Sequence, residues 1–374
     1  MTYHLKVKFE SSLRSHSIWI GQDIVLSNSF VQNCASLKLP LVIVSDASVA
    51  NLYGQILVNF LQSAGLSAHL IGFSAGEEHK NRQTKEWIED QLFLQRMGRD
   101  TALIALGGGV TTDLAGFVAA TYCRGIPLIM VPTSLLAIVD ASIGGKNGVD
   151  TPAGKNMIGT TYQPQAIFLD PTFLSSLPNQ EIKNGLAEVI KHGLIASEQT
   201  VSFLEEQAQS ILNLEMTVLE KMIYESCSIK RSIVEQDEQE TGKRRLLNFG
   251  HTIAHALEIV SNYRIAHGKA VAIGMMAESY LSMQLGYLNT PAFDRIMALL
   301  HLYKLDLKIK EPLSPHALMQ AMTRDKKATL SVPRFVLLEE IGKPLEFEGA
   351  FCSHVDEKAL NHTLEWLCSV VYSN

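Results

Sequence analysis

Cysteine is scarce in this chain and has no pattern. The 374 residues include five: Cys34, Cys123, Cys227, Cys352 and Cys368. The number is odd and there is no Cys-x-x-Cys, so no disulfide framework is expected and reduced, structural cysteines of a cytoplasmic protein are. Positive charge is also short. Thirty-two Lys and Arg stand against 38 Asp and Glu, a formal net charge of -6. No global basic field draws the chain to nucleic acid or to an anionic membrane. No apolar run reaches the roughly 18 residues of a membrane helix. The first residues, Met1 to Val7, lack the charged and apolar regions of a secretory signal. Low-complexity tracts and internal repeats are missing too. What remains is an ordinary globular composition, 47% hydrophobic and 19% charged, in a chain too long for one small core.

Two patterns divide the chain. Leu41–Asp46, Ala68–Phe73, Thr101–Leu106, Leu128–Pro132 and Ala166–Asp170 are short apolar, often β-branched runs, as expected of strands buried on both faces. Helical stretches near 49–64 and 83–97 separate the earlier ones, so βαβ units and a mostly parallel sheet are expected. After Pro178 helical periodicity dominates, over 181–197, 216–236, 245–261 and 269–285, with one apolar run at 335–338 that reads as a late strand. The expected fold is α/β: an N-terminal Rossmann-like domain over 1–178, then a mainly helical domain over 179–374. The cleft between two such domains is a default place for a small-molecule site.

Gly107-Gly108-Gly109-Val110-Thr111-Thr112-Asp113 closes an expected strand and opens an expected helix. Glycines let backbone N–H groups approach a phosphate, and the helix N-terminus favours its charge. Thr112 stands where the usual dinucleotide fingerprint has its last glycine. Alone, the run is equally well a tight turn. Asp46 ends an earlier strand, where ribose-binding carboxylates are often placed. Gly76-Glu77-Glu78-His79-Lys80 adds a loop of mixed charge. Ser142 to Gly148 and Gly154-Lys155-Asn156 bring Lys146 and Lys155 on glycine-flanked loops. With Arg124, Lys191, Lys230, Arg244 and the Asp325-Lys326-Lys327 turn, this acidic chain sets out the cations that a small polyanion such as a carboxylated sugar phosphate needs.

Three histidines, with Asn248 and Glu258, interrupt apolar helical segments in 247–258 and 266–275. Burying such groups unpaired costs free energy, and a divalent metal would compensate them. A lone histidine here is more often a satisfied core residue, but clustering weakens that reading. Two ligand sets are open. His251, His255 and Glu258 share one helix face. Glu188, His251 and His267 come from three helices and leave His255 for proton transfer. Either set gives two histidines and a carboxylate, a familiar catalytic zinc arrangement with room for substrate.

Gly107 to Asp113, Arg124-Gly125-Ile126-Pro127, Pro132-Thr133, Val139-Asp140, Gly144-Gly145-Lys146, Gly154-Lys155-Asn156, Ala187 to Lys191 and Asn248-Phe249-Gly250-His251 appear in an order that resembles the 3-dehydroquinate synthases, over roughly residues 40 to 345. The resemblance implies an enzyme of the shikimate pathway, dependent on NAD and on zinc or cobalt. Its substrate would be 3-deoxy-D-arabino-heptulosonate 7-phosphate. Its steps would be transient oxidation by NAD, loss of phosphate, re-reduction and an internal aldol closure. It assigns Glu188, His251 and His267 to the metal. It assigns Asp46, Glu77, Lys80, Gly107, Gly108, Gly109, Asp113, Thr133 and Ser134 to the nucleotide. It assigns Asp140, Lys146, Lys155, Asn156, Lys191, Lys230, Arg244, Asn248 and His255 to substrate, with a lysine of Lys326-Lys327. His255 would shuttle hydroxyl protons. Arg124 would reach the phosphate in a neighbouring subunit's site, which implies a homodimer. Lys269 departs from the pattern, standing where glutamate is usual, and Ala141 and Asn147 replace a serine and a threonine. The competing readings are another sugar phosphate cyclase, a metal-dependent polyol or glycerol dehydrogenase of the same plan, and a non-catalytic NAD-binding homologue.

Overall fold

The computed structural model describes residues 2–8, 15–152, 154–324 and 332–372. Lys326 and Lys327 lie outside them. The chain forms two compact units, one of Met1–Pro178 with Met216–Arg231, the other of Asn179–Glu215 with Ser232–Asn374. The stretch 216–231, which its helical periodicity groups with the second domain in sequence, therefore belongs to the first unit.

The first unit is built on a seven-stranded sheet. Its strands are β1 (Tyr3–Lys8), β2 (Ser15–Ile20), β3 (Leu41–Asp46), β4 (Ala68–Phe73), β5 (Ala102–Gly107), β6 (Leu128–Pro132) and, after a separate hairpin of β7 (Lys146–Thr151) and β8 (Gly154–Thr161), β9 (Ala166–Leu169). The order is β1-β2-β9-β6-β5-β3-β4. Only β1 runs antiparallel to its neighbour; the other pairings are parallel. Leu41 to Val44 and Ala102 to Leu106 have no exposed surface, which is why these strands read as unbroken apolar runs. Phe30 meets Phe168 edge-on, with 4.8 Å between ring centroids. Burying each such large side chain stabilises the fold by roughly 1.5–3 kcal/mol.

β4 flanks β3 on one side and β5 flanks it on the other. The direction of winding thus reverses between β3 and β5. In an open parallel sheet a ligand crevice forms at the carboxyl ends of the strands where that reversal occurs. Asp46 ends β3, and Gly107 ends β5.

The second unit is mainly helical. The helices Asn179–Ala196, His251–Val260 and His267–Gln284 form its middle, and Glu357–Val371 packs on the last of them. The helix expected over 245–261 is interrupted: a 3-10 turn runs over Lys243–Asn248, and the α-helix starts at His251. Gly250 breaks it, at φ 79, in a backbone region where a side chain is strained. A Cβ there would also lie 2.8 Å from Met275 N. The late strand is Leu338–Glu340, paired with Lys343–Pro344, while Phe335 only bridges Ser353. Among the described residues no helix is long and apolar enough to cross a membrane.

Candidate active site

In the first unit, the glycine-rich turn leads from β5 into the helix Gly109–Thr121, with Gly108 extended at its N-cap. Among the described residues no side chain caps that helix, an arrangement whose first N–H groups suit an anion. Asp46 stands beside the turn. Its Oδ1 accepts from the backbone N–H of Ser48 and Val49, and its Oδ2 accepts from the Thr111 hydroxyl at 3.1 Å. Thr111, which sequence reading passed over, thus ties the ends of β3 and β5 together. Thr133 N donates to Gly107 O, and the Ser134 hydroxyl accepts from Ala137 N.

Lys80 is 5% exposed, and its Nζ lies 2.6 Å from Asp113 Oδ2 on the Gly109–Thr121 helix. Burial pulls the lysine down, but Asp113 and Glu77 more than offset it and hold it above its ordinary value. Burial pushes the Asp113 carboxyl up, and Lys80 returns part of that shift. Glu77 faces Lys155 at 3.4 Å. The two Gly-Lys loops are the strands of the β7–β8 hairpin, in which Lys146 pairs with Thr161 and Asn147 with Thr160. Asn147, one of the departures, donates to the carbonyls of Gly145 and Tyr162 and so holds the hairpin. Asn156 N donates to Asp150. Lys230, nearly buried, donates to Asp140 Oδ1 at 2.6 Å and also to its carbonyl. Arg124 is exposed in a turn where it and Cys123 both have positive φ, 67 and 51.

In the second unit, Glu188, His251 and His267 bring one ligand atom each within 4.8 Å of one another. His251 Nε2 is 3.4 Å and His267 Nε2 is 3.5 Å from the same oxygen, Glu188 Oε1. Tetrahedral zinc with arms of about 2.05 Å has ligand–ligand edges of about 3.3 Å, so the spacing fits a small divalent ion. The other ring nitrogens are engaged. His251 Nδ1 donates to Phe249 O at 3.1 Å, and His267 Nδ1 donates to Glu258 Oε1 at 3.2 Å. Those partners fix the tautomer that presents Nε2 to a metal. Of the two ligand sets open in sequence, the geometry gathers the one from three helices. Glu258 sits behind His267, and His255 lies edge-on to His251 with ring centroids 5.6 Å apart.

Glu188 is fully buried, and the buried ammonium of Lys191 contacts its Oε2. Burial alone would raise the Glu188 carboxyl; Lys191 and then His251 outweigh it and hold it well below the usual carboxylate range. A buried ion pair is weak evidence for stability, which favours a chemical reason for keeping this one. Arg244 is 3% exposed and donates through Nη1 to Glu238 O, while Asn248 donates to Glu240. Asp237, another residue that sequence reading missed, accepts from the backbone N–H of Thr241, Gly242 and Arg244 and shapes this turn. Lys269 points to Asp306, 2.5 Å away, so its charge is answered there.

A family model described as 3-dehydroquinate synthase N-terminal matches residues 70–184, and one described as 3-dehydroquinate synthase C-terminal matches residues 185–328. A 3-dehydroquinate synthase of Desulforamulus reducens is 41% identical over 331 residues, 88% of this chain and 92% of that one. Among solved structures, a 2-deoxy-scyllo-inosose synthase complexed with carbaglucose-6-phosphate, NAD+ and Co2+ is similar with TM-score 0.85 and 25% identity, over 97% of this chain and 99% of that one. A 2-epi-5-epi-valiolone synthase from Streptomyces hygroscopicus subsp. jinggangensis with NAD+ and Zn2+ bound gives TM-score 0.85 and 26% identity, over 96% and 98% of the two chains.

Proposed function

This chain belongs to the 3-dehydroquinate synthase family, and we propose that it converts 3-deoxy-D-arabino-heptulosonate 7-phosphate to 3-dehydroquinate and phosphate with NAD and one divalent metal, zinc or cobalt. The observation that carries this reading is the buried Glu188 oxygen facing two histidine nitrogens at 3.4 and 3.5 Å. Glu188, His251 and His267 would hold the metal. Asp46 would take the ribose, the uncapped turn at Gly107–Gly109 the pyrophosphate, and Glu77, Lys80, Asp113, Thr133 and Ser134 would complete the nucleotide site. When bound, NAD supplies a reversible hydride acceptor, and the metal a Lewis acid for adjacent hydroxyls.

The protein's own groups bind, orient and move protons. Lys191 keeps Glu188 ionised and has further N–H bonds to offer an anionic substrate. Arg244 and Asn248, held by Glu238 and Glu240, are preorganised donors for the sugar acid. Lys146, Lys155, Asn156, Lys230 and Asp140 contribute the remaining substrate contacts, with a lysine of Lys326-Lys327. His255 is half exposed and close to His251, which suits a carrier of hydroxyl protons. No strong base is assigned to the C–H beside the departing phosphate; the phosphate itself takes that proton. Arg124, exposed on a strained turn, would serve a partner subunit's site in a homodimer. All five cysteines are unpaired, in keeping with a cytoplasmic enzyme.

The test is phosphate release by metal-loaded enzyme with NAD. Release from the heptulosonate phosphate, and none from a heptulose 7-phosphate lacking the carboxylate, is expected. The reverse preference would make the chain one of the other sugar phosphate cyclases.

A further inference from the structure

The second unit holds a cavity of about 560 Å³ that the reaction does not use. Its walls come from the start of the Asn179–Ala196 helix, the segment after the His251–Val260 helix, and the stretch 305–313. Glu188, His251 and His267 are not among its lining residues. Five cations and two carboxylates face it, an excess of positive charge in a chain of formal net charge -6. Arg264 is paired with Glu311, its Nη2 2.6 Å from Oε2, and Lys269 with Asp306. Lys308 donates to the carbonyl of Val370. Among the described residues Lys310 makes no hydrogen bond or ion pair, and Lys183 acts only through space, on Asp306, which Lys269 already holds. The rest of the lining is mostly apolar, with Leu305 and Ile309 buried and Val260, Ile265 and Leu313 beside the polar Gln180 and Ser261.

We infer that this cavity binds a small organic anion with a flat apolar body, a ring bearing a carboxylate. Each part of the lining calls for a part of that ligand. Five cations against two carboxylates leave an excess of positive charge in the wall, and an anion between Lys183 and Lys310 offsets it. A bare inorganic anion would leave the apolar part of the lining wet, and a neutral ring would leave the excess positive charge in place. The volume lies within the usual range for small-molecule sites, roughly 300–1,000 Å³. Lys269, paired with Asp306, stands in the same wall.

The probe is 1-naphthoate, titrated calorimetrically into the full chain loaded with NAD and metal. Saturable binding is expected, weakened about tenfold in the double variant Lys183→Glu, Lys310→Glu, with NAD affinity unchanged. Should the double variant fail to fold, Lys310→Ala removes one exposed cation and is expected to weaken binding about threefold. The inference is overturned if naphthoate gives no saturable heat up to about 10 mM. Equal binding to wild type and variants also overturns it, because the ligand then sits elsewhere. So does equal binding of 1-naphthalenemethanol, which has the ring without the charge, or equal competition by inorganic phosphate.

Discussion

Substituting alanine for Gly268 should disable the metal cluster without touching a ligand. The His267–Gln284 helix begins against the Asn179–Ala196 helix so closely that a Cβ on Gly268 would lie 2.4 Å from Asn184 Cα and 2.7 Å from Asn184 O. Both neighbours are backbone, so neither can swing aside. Ordinary contact begins near 3.4 Å, and the helices must separate locally by about 1 Å. Gly268 follows His267, and Asn184 lies one helical turn before Glu188. The displacement therefore falls on the 3.5 Å separation of His267 Nε2 from Glu188 Oε1. Metal ligands tolerate errors of about 0.2 Å. Overpacking of this kind costs about 1–3 kcal/mol of stability, and metal affinity should fall by at least about tenfold. The assay is Co2+ titration followed by its visible absorption, beside thermal unfolding of the metal-free protein. Gly72→Ala is the control, since a Cβ there meets only Ala50 Cβ at 3.8 Å. Wild-type Co2+ affinity in Gly268→Ala would refute the reasoning.

Other outcomes follow from single contacts. Glu258→Gln keeps the shape but weakens the hold on His267 Nδ1, so metal affinity should fall about 10- to 100-fold while the apo fold stays intact; an unchanged Co2+ spectrum and affinity would deny Glu258 that role. Lys80→Met leaves the largely buried Asp113 unpaired, and should cost about 1–3 kcal/mol and weaken NAD binding. Adding Asp113→Asn should restore much of that stability, and a strictly additive double variant would count against the pairing. His16 on β2 is buried, and burial lowers its pKa from 6.5 to about 4. The folded protein thus keeps it neutral, and its contribution is present above pH 6.5 and lost as pH falls towards 4. The loss amounts to about 3 kcal/mol, and urea unfolding of His16→Leu should show a correspondingly flatter pH dependence over that window.

Much of the fold could be read in advance because its strands carry their own signal. Leu41–Asp46 and Ala102–Gly107 are buried on both faces, so burial and composition coincide. The β7–β8 hairpin could not be read, because its strands are rich in glycine and lysine and are held by pairing and by Asn147. The break at Gly250 was equally hidden: the apolar period runs on through 245–261, and only its positive φ and its close packing on Met275 explain the glycine. At the metal cluster the residue types pointed to a metal, but two sets satisfied the spacing, since His251, His255 and Glu258 share a helix face. Only the approach of three helices brings Glu188 to His251 and His267 and turns Glu258 into a support. Thr111 and Asp237 gave no signal, because their roles are hydrogen bonds to groups fixed by the fold.

The central claim is that a hydride is borrowed and returned within one turnover. Purified enzyme loaded with metal should be given the heptulosonate phosphate and NAD at far below stoichiometric amounts. Phosphate, dehydroquinate and NADH should be followed in the same sample. Many phosphates released per NAD, with dehydroquinate formed and no NADH accumulating, is the predicted result. NADH accumulating in step with a ketone product would contradict the account and make the chain a dehydrogenase.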